Sequence, residues 1–120
     1  MKNFNKIILS LGSNIGDKKS NLETAINQIN QFSTIKKISS IYESDPILFK
    51  DQDNFFNLVL EIDYKKTVIE LLETTKDVER RMGRKKTVKY GPRIIDIDIV
   101  FFNNQIVILL ILLRHLHMRF

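Results

Sequence analysis

Residues 93–102 read RIIDIDIVFF, and this stretch constrains the fold more than any other part of the chain. Asp96 and Asp98 alternate with isoleucines, and successive side chains of a β-strand point to opposite faces of its sheet. The pattern therefore predicts a strand with Ile95, Ile97 and Ile99 on a buried face. Both carboxylates then lie on the opposite face, where a charge is tolerated only if it is solvated or paired.

A second alternating run, FFNLVLEIDY at 55–64, predicts another strand with one apolar face and one mixed face. The apolar face carries Phe56, Leu58, Leu60, Ile62 and Tyr64. KIILSL at 6–11 predicts a short buried strand, and the β-rich run TIKKISSIYE at 34–43 predicts a further strand.

Two capping-box patterns, SNLE at 20–23 and TVIE at 67–70, predict the starts of two helices. Gly83 is placed just past the end of the second helix, where glycine is favoured. The resulting order β-α-β-β-α-β predicts an α+β, ferredoxin-like fold, with an antiparallel sheet and two helices on one face. The other face of the sheet is then available as a working surface.

The 120 residues suit a single domain, and we set residues 106–120 apart as an atypical tail. The absence of cysteine excludes a disulfide framework and a thiolate metal site. No apolar run resembles a signal peptide, and the longest, IVILLILL at 106–113, is far shorter than the roughly 20 residues that cross a bilayer. A cytoplasmic protein without a membrane partner is the expectation.

The net charge of +5 is concentrated in residues 76–93, which hold eight of the 19 basic residues but only two of the 14 acidic ones. A local basic patch indicates a polyanionic partner, such as a nucleic acid, a phosphorylated metabolite or an anionic lipid. The alternative interpretation is a solvated helix end followed by a basic loop.

Asp96 and Asp98 are candidate metal ligands. Their Cα atoms would lie about 6.5–7 Å apart on one strand face, and the two carboxylates repel each other unless a cation is nearby. Mg²⁺ takes one or two carboxylates together with substrate phosphates. Basic residues lie just before the acids in the sequence, a combination that phosphoryl transfer requires. The alternative is a pair of solvated acids on an exposed strand.

Phe55 and Asn57 share the mixed face of their strand, and a stacking ring beside an amide suits a flat polar heterocycle. An ordinary sheet edge is the alternative.

GSNIGD at 12–17 is not a P-loop, because no Gly-Lys-Ser/Thr follows it. His115 and His117 form a weak metal-binding pattern, for which an unstructured tail is the alternative.

Four segments together resemble the family of 6-hydroxymethyl-7,8-dihydropterin pyrophosphokinases: LGSNIGDKKSNLETAI, SSIYESDPI, DQDNFFNLVLEI, and VERRMGR followed by YGPRIIDIDIVFF. The resemblance covers residues 7 to about 107. It implies an enzyme that transfers the terminal diphosphate of ATP to the hydroxymethyl group of a dihydropterin in folate biosynthesis, releasing AMP. It also implies a ferredoxin-like fold, ATP as co-substrate, two Mg²⁺ ions, no nucleic-acid partner and a monomer.

The resemblance also implies roles for individual residues. Asp96 and Asp98 match the family's metal ligands and, with Arg84 and Arg93, its catalytic groups. The implied ATP-binding residues are Lys76, Glu79, Arg84, Lys86, Arg93, His115 and Arg119. The implied pterin-binding residues are Ser44, Ile47, Phe55, Asn57 and Phe120. Lys86 stands where the family often has Arg, and Tyr90 where it usually has Trp.

The resemblance weakens at the C-terminus, where the family usually continues with a PHPR…R.F segment and further structure. This sequence instead reads IVILLILLRHLHMRF. His115, Arg119 and Phe120 correspond to a compressed version of that segment. Two alternatives to the enzyme remain open: an inactive remnant with a truncated or frameshifted end, and a ferredoxin-like module that binds single-stranded nucleic acid.

Overall fold

A computed structural model describes residues 6–46, 51–83 and 93–103. Its elements in chain order are β1 Ile7–Ser13, α1 Lys18–Phe32, β2 Thr34–Ile38, β3 Tyr42–Ser44, β4 Phe55–Asp63, α2 Val68–Arg81 and β5 Asp96–Phe102. The predicted α+β arrangement, an antiparallel sheet with two helices, is confirmed. The prediction of a single strand over 34–43 is wrong, because this segment forms two strands, β2 and β3.

The strand order in the described sheet is β2-β4-β1-β5, and β3 also pairs with β4. Every pairing is antiparallel. The break between β2 and β3 lies at Ser39, whose N–H donates to Val59 O at 2.9 Å. Ser39 Oγ accepts the N–H of Val59 at 2.8 Å. The hydroxyl oxygen of Ser39 thus accepts a hydrogen bond that a backbone carbonyl would accept in a regular antiparallel ladder. Such side-chain hydrogen bonds compete with the regular backbone pairing of strands.

The hydrophobic core lies between the sheet and the two helices. It contains the alternate residues predicted for β4 and β5, with Leu58, Leu60, Ile62, Ile95, Ile97 and Ile99 all buried. Helix α1 adds Leu22, Ala25 and Ile29, and α2 adds Leu71, Leu72 and Val78. The rings of Phe32 and Tyr64 meet edge to face with centroids 6.2 Å apart. The predicted division of both strands into a core face and a polar face is therefore confirmed.

The ends of α2 follow the sequence prediction. Thr67 and Glu70 form a reciprocal capping box, and Gly83 has a φ of 88° just beyond the helix end. The predicted start of α1 at Ser20 is wrong, because the helix begins one turn earlier with Asp17 as its N-cap. The Asp17 carboxylate accepts the Ser20 N–H at 3.1 Å, and Asp is at least as good an N-cap as Ser.

Neither helix in the described ranges combines the length and the apolar character needed to cross a membrane. The predicted single domain over 1–120 remains a prediction, and its atypical tail at 106–120 lies outside the described residues.

Candidate functional site

The sheet face opposite the helices carries one row of paired residues that crosses four strands. Tyr42 pairs with Asn57, Asn57 with Gly12, and Gly12 with Asp96. Directly paired residues of antiparallel strands point to the same face, so these positions share one surface. Two strand spacings separate the Asn57 and Asp96 Cα atoms, which is about 10 Å. The row brings the predicted amide and the predicted acid to one surface.

The amide half of this surface consists of Ser44, Phe55 and Asn57. Ser44 pairs with Phe55 across β3 and β4. The Asn57 Nδ2 donates to Ser44 Oγ at 2.8 Å, and it also lies 3.3 Å from Tyr42 O. Three of the predicted heterocycle-binding residues therefore adjoin one another, and the Asn57 amide has a defined orientation. Ile47 and Phe120, the other two, lie outside the described residues.

Gly12 allows the Asn57 amide to lie over the middle of the sheet. A Cβ atom at position 12 would lie 3.1 Å from Asn57 Oδ1 and 3.5 Å from a ring carbon of Phe55. A contact of 3.1 Å is tighter than nearly all real Cβ contacts, so any larger residue would displace the amide. Gly12 was not among the predicted site residues. The predicted strand ended at Leu11, whereas β1 extends to Ser13. A glycine inside a strand often marks a close approach by other atoms, but Gly12 had been assigned to the loop that follows.

The acidic half of the surface consists of Asp96 and Asp98, and Arg93 lies in the segment that leads into their strand. Both aspartates are half-buried on the open face, while Ile97 between them is buried on the helix side. Asp98 pairs with Ser10, next to the row that contains Asp96. The carboxylate oxygens match the donors that Mg²⁺ prefers, so the side chains fit the predicted ion. Within the ranges that the structure describes, no group of three or more His, Cys, Asp or Glu residues could hold a metal.

Asn14 fixes the backbone at Arg93. Its N–H donates to Arg93 O at 3.0 Å, and its Oδ1 accepts the Arg93 N–H at 2.7 Å. Its Nδ2 donates to Gln52 Oε1 at 2.7 Å and to Asp53 O at 3.1 Å. One buried side chain thereby joins the end of β1 to the segments that lead into β4 and β5. This role of Asn14 was not predicted, although an Asn in a turn-rich loop after a strand is a typical local signal.

Two further predicted residues lie on α2. Lys76 is half-buried, whereas Glu79 is only 3% exposed. The Glu79 Oε2 accepts the backbone N–H of Ile97 at 2.8 Å. The burial of Glu79 was not predicted, and its spacing of four residues from the buried Thr75 does not identify its partner. The ATP contacts of Lys76 and Glu79 stay predictions. Arg84, Lys86, His115 and Arg119 lie outside the described residues.

Comparison with known proteins identifies the family. The model of the 7,8-dihydro-6-hydroxymethylpterin-pyrophosphokinase family matches residues 8–119, nearly the whole chain. The chain belongs to this family. The matched range extends beyond residue 107 and includes the positions of His115 and Arg119. It stops one residue before Phe120.

Two bacterial members of the family have the name 2-amino-4-hydroxy-6-hydroxymethyldihydropteridine pyrophosphokinase. The chain is 42% identical over 99 residues to the Bacillus subtilis (strain 168) protein, covering 81% of this chain and 59% of the relative. It is 43% identical over 101 residues to the Aquifex aeolicus (strain VF5) protein, covering 84% and 63%. It is also 42% identical over 103 residues to the folic acid synthesis protein fol1 of Schizosaccharomyces pombe, covering 83% and 14%. The chain spans about three-fifths of each bacterial relative.

Proposed function

We propose that this protein transfers the terminal diphosphate of ATP to the hydroxymethyl oxygen of 6-hydroxymethyl-7,8-dihydropterin during folate biosynthesis. A bond forms between that oxygen and the β-phosphorus, the bond from the β-phosphorus to the oxygen of the α-phosphate breaks, and AMP leaves. The hydroxyl proton passes to solvent. The observation that carries the proposal is the row that places Asn57 and Asp96 on one open face. Membership of the pyrophosphokinase family and the names of the relatives support it.

In this proposal the amide half binds the pterin. The Asn57 side chain presents both a donor and an acceptor, and its nitrogen is already held by Ser44 Oγ. The Oδ1 over Gly12 is the acceptor for a ring N–H, and Phe55 provides an aromatic face for stacking. Ile47 and Phe120 are proposed to complete the pocket. A ring held in this way directs its hydroxymethyl group along the row toward the acidic half.

The acidic half binds the phosphates of ATP in this proposal. Asp96 and Asp98 would hold two Mg²⁺ ions, which supply neutralisation of the charge on the phosphate oxygens. Arg93 contacts phosphate from a backbone position that Asn14 fixes. Arg84, Lys86, Lys76, Glu79, His115 and Arg119 are proposed as further ATP contacts. The protein acts by alignment and charge stabilisation, and the geometry calls for no strong general base.

We also propose that the protein is a cytoplasmic monomer without a nucleic-acid partner. The open face of β1 carries Ile8, Ser10 and Gly12, and no aromatic residue. Sheets of this shape that bind single-stranded RNA use aromatic residues on their central strands to stack the bases. The other central strand, β4, carries one aromatic residue on this face, Phe55, which the proposal assigns to the pterin.

The test is an assay of AMP release with dihydropterin, ATP and Mg²⁺. We expect the wild type to turn over and the Asp96→Asn, Asp98→Asn double variant to lose at least about 10²–10³-fold, a typical loss when charge stabilisation is removed. Glu61→Gln, Asp63→Asn is the matched control, because it removes two carboxylates at the same spacing on the same face of β4. Equal rates for the wild type and the Asp96, Asp98 variant would overturn the metal assignment. No AMP release from the wild type would favour the inactive remnant.

A further inference from the structure

Glu79 is a buried acid whose carboxylate reaches from α2 to β5. It is 3% exposed, and its Oε2 lies 2.8 Å from the Ile97 backbone nitrogen, which donates to it. Ile97 itself is 1% exposed and faces the helices. The contact therefore joins a helix side chain to the strand backbone inside the protein, on the side of the sheet away from the open face.

The position of this hydrogen bond on β5 matters for the strand. β5 is the last strand in the order of the described sheet, with β1 as its neighbour. A buried backbone N–H without a partner is costly, and hydrogen bonds that a carboxylate accepts are stronger than neutral ones. The Glu79 carboxylate therefore holds β5 at a fixed position relative to α2, at the residue between the two aspartates.

The peptide that Glu79 contacts is shared with the acidic half. The nitrogen of Ile97 is bonded to the carbonyl carbon of Asp96, and the Cα of Ile97 leads on to Asp98. A fixed peptide plane restricts ψ of Asp96 and φ of Ile97, the backbone torsions on either side of it, and these contribute to the relative direction of the two aspartate side chains. We infer that Glu79, besides its proposed place among the ATP contacts, is a positioning residue that sets the geometry of the Asp96–Asp98 pair through the Ile97 amide.

This inference rests on the proposed function, because it assigns Mg²⁺ to Asp96 and Asp98. Two variants separate its parts. Glu79→Gln keeps an acceptor oxygen at the same length and removes the charge. Glu79→Met keeps the length and fills the space, but it leaves the Ile97 N–H without a strong acceptor. Glu73→Ala is the control, since it removes an exposed acid from the same helix.

The first measurement is amide hydrogen exchange of Ile97 in the protein without ligands, compared with that of Leu9 in the core. We expect Glu79→Met to accelerate Ile97 exchange about tenfold or more relative to Leu9, and Glu79→Gln and Glu73→Ala to change it less than about threefold. This readout requires no nucleotide, so it tests the contact even if the proposed function fails. An unchanged Ile97 rate in Glu79→Met would overturn the inference.

The second measurement is the Mg²⁺ concentration needed for half-maximal binding of a nonhydrolysable ATP analogue. Loss of a positioning contact around a metal site typically weakens metal affinity about 10–100-fold. We expect such a rise in the Mg²⁺ requirement for Glu79→Met and little change for Glu79→Gln. An equal loss of nucleotide affinity in both variants at every Mg²⁺ concentration would assign Glu79 to the nucleotide contact alone and overturn the inference.

The remaining outcomes are also decisive. Faster Ile97 exchange in Glu79→Met with an unchanged Mg²⁺ requirement would make Glu79 purely structural and overturn the inference. If Glu79→Met does not fold, Glu79→Gln decides alone: a rise in the Mg²⁺ requirement above about tenfold at normal Ile97 exchange would contradict a role through the hydrogen bond. A wild-type protein that binds no ATP analogue would overturn the proposed function, and the exchange data would still report on the contact.

Discussion

The amide half and the acidic half of the open face are held in place by different kinds of contact. In the amide half, Asn57 bonds to Ser44 on the neighbouring strand β3, only 13 positions away in the chain. In the acidic half, the Arg93 N–H bonds to Asn14 across 79 positions. The Ile97 N–H bonds to Glu79 on α2. The amide half therefore follows from one local strand pairing, whereas the acidic half requires the whole fold to be assembled.

This difference indicates where each half is vulnerable. Substitutions near β3 and β4 should affect only the binding of the heterocycle. The acidic half should respond to changes in α2 and in the loop after β1, neither of which is adjacent in sequence to its aspartates. Two experiments test this division and a third concerns a region outside it, in order from the largest expected effect to the smallest.

Replacement of Asn57 should separate the two halves most clearly. We expect Asn57→Ala to weaken pterin binding about 10–100-fold, because the polar groups of the pterin ring lose their hydrogen-bond partner in a partly desolvated site. Affinity for a nonhydrolysable ATP analogue should stay within about twofold. Titrations of each ligand measure both effects, with Asn30→Ala on the exposed face of α1 as control. A comparable loss of nucleotide affinity would contradict the division into independent halves.

Replacement of Asn14 should affect both halves at once, because this residue contacts the segments that lead to each of them. We expect Asn14→Ala to lower the free energy of unfolding by about 1–3 kcal/mol, since it leaves the part-buried Arg93 N–H without its side-chain acceptor. Affinity for each ligand should fall roughly tenfold or less. Urea denaturation and the two titrations check these values. Loss of affinity for one ligand alone would show that Asn14 serves a single half.

Tyr64 lies outside both halves, and its ionisation should affect the free energy of unfolding. Burial raises the pKa of its phenol, the nearby Glu70 and Glu73 carboxylates raise it further, and a hydrogen bond with Thr74 opposes the shift. The folded state thus retains the proton where the unfolded state loses it. Its contribution to stability is present below the ordinary tyrosine pKa of about 10 and is lost as pH rises through the folded pKa. Urea denaturation across this range should show a decline that Tyr64→Phe reduces. An identical decline in that variant would assign it to other groups.

The sequence predicts the parts of the molecule that depend on local periodicity. Two-residue alternation placed Asn57 and both aspartates on the correct face, and the Thr67 capping box marked the start of α2. The break at Ser39 was not predictable in this way, because it depends on hydrogen bonds to Val59 on another strand.

The buried contacts of the acidic half were also beyond local patterns. The burial of Glu79 was not predicted, and its partner depends on how α2 packs against β5. The start of α1 was also not predictable from the local sequence. Asp17 and Ser20 are both acceptable N-cap residues, and in the structure Asp17 is the N-cap.

Within this row only the main chain of Gly12 separates Asn57 from Asp96, because position 12 has no side chain. The interval between them is set by two rows of inter-strand hydrogen bonds, about 4.8 Å each. Under the proposed function, the sheet thereby sets a fixed distance between the two substrates, whatever side chains surround them.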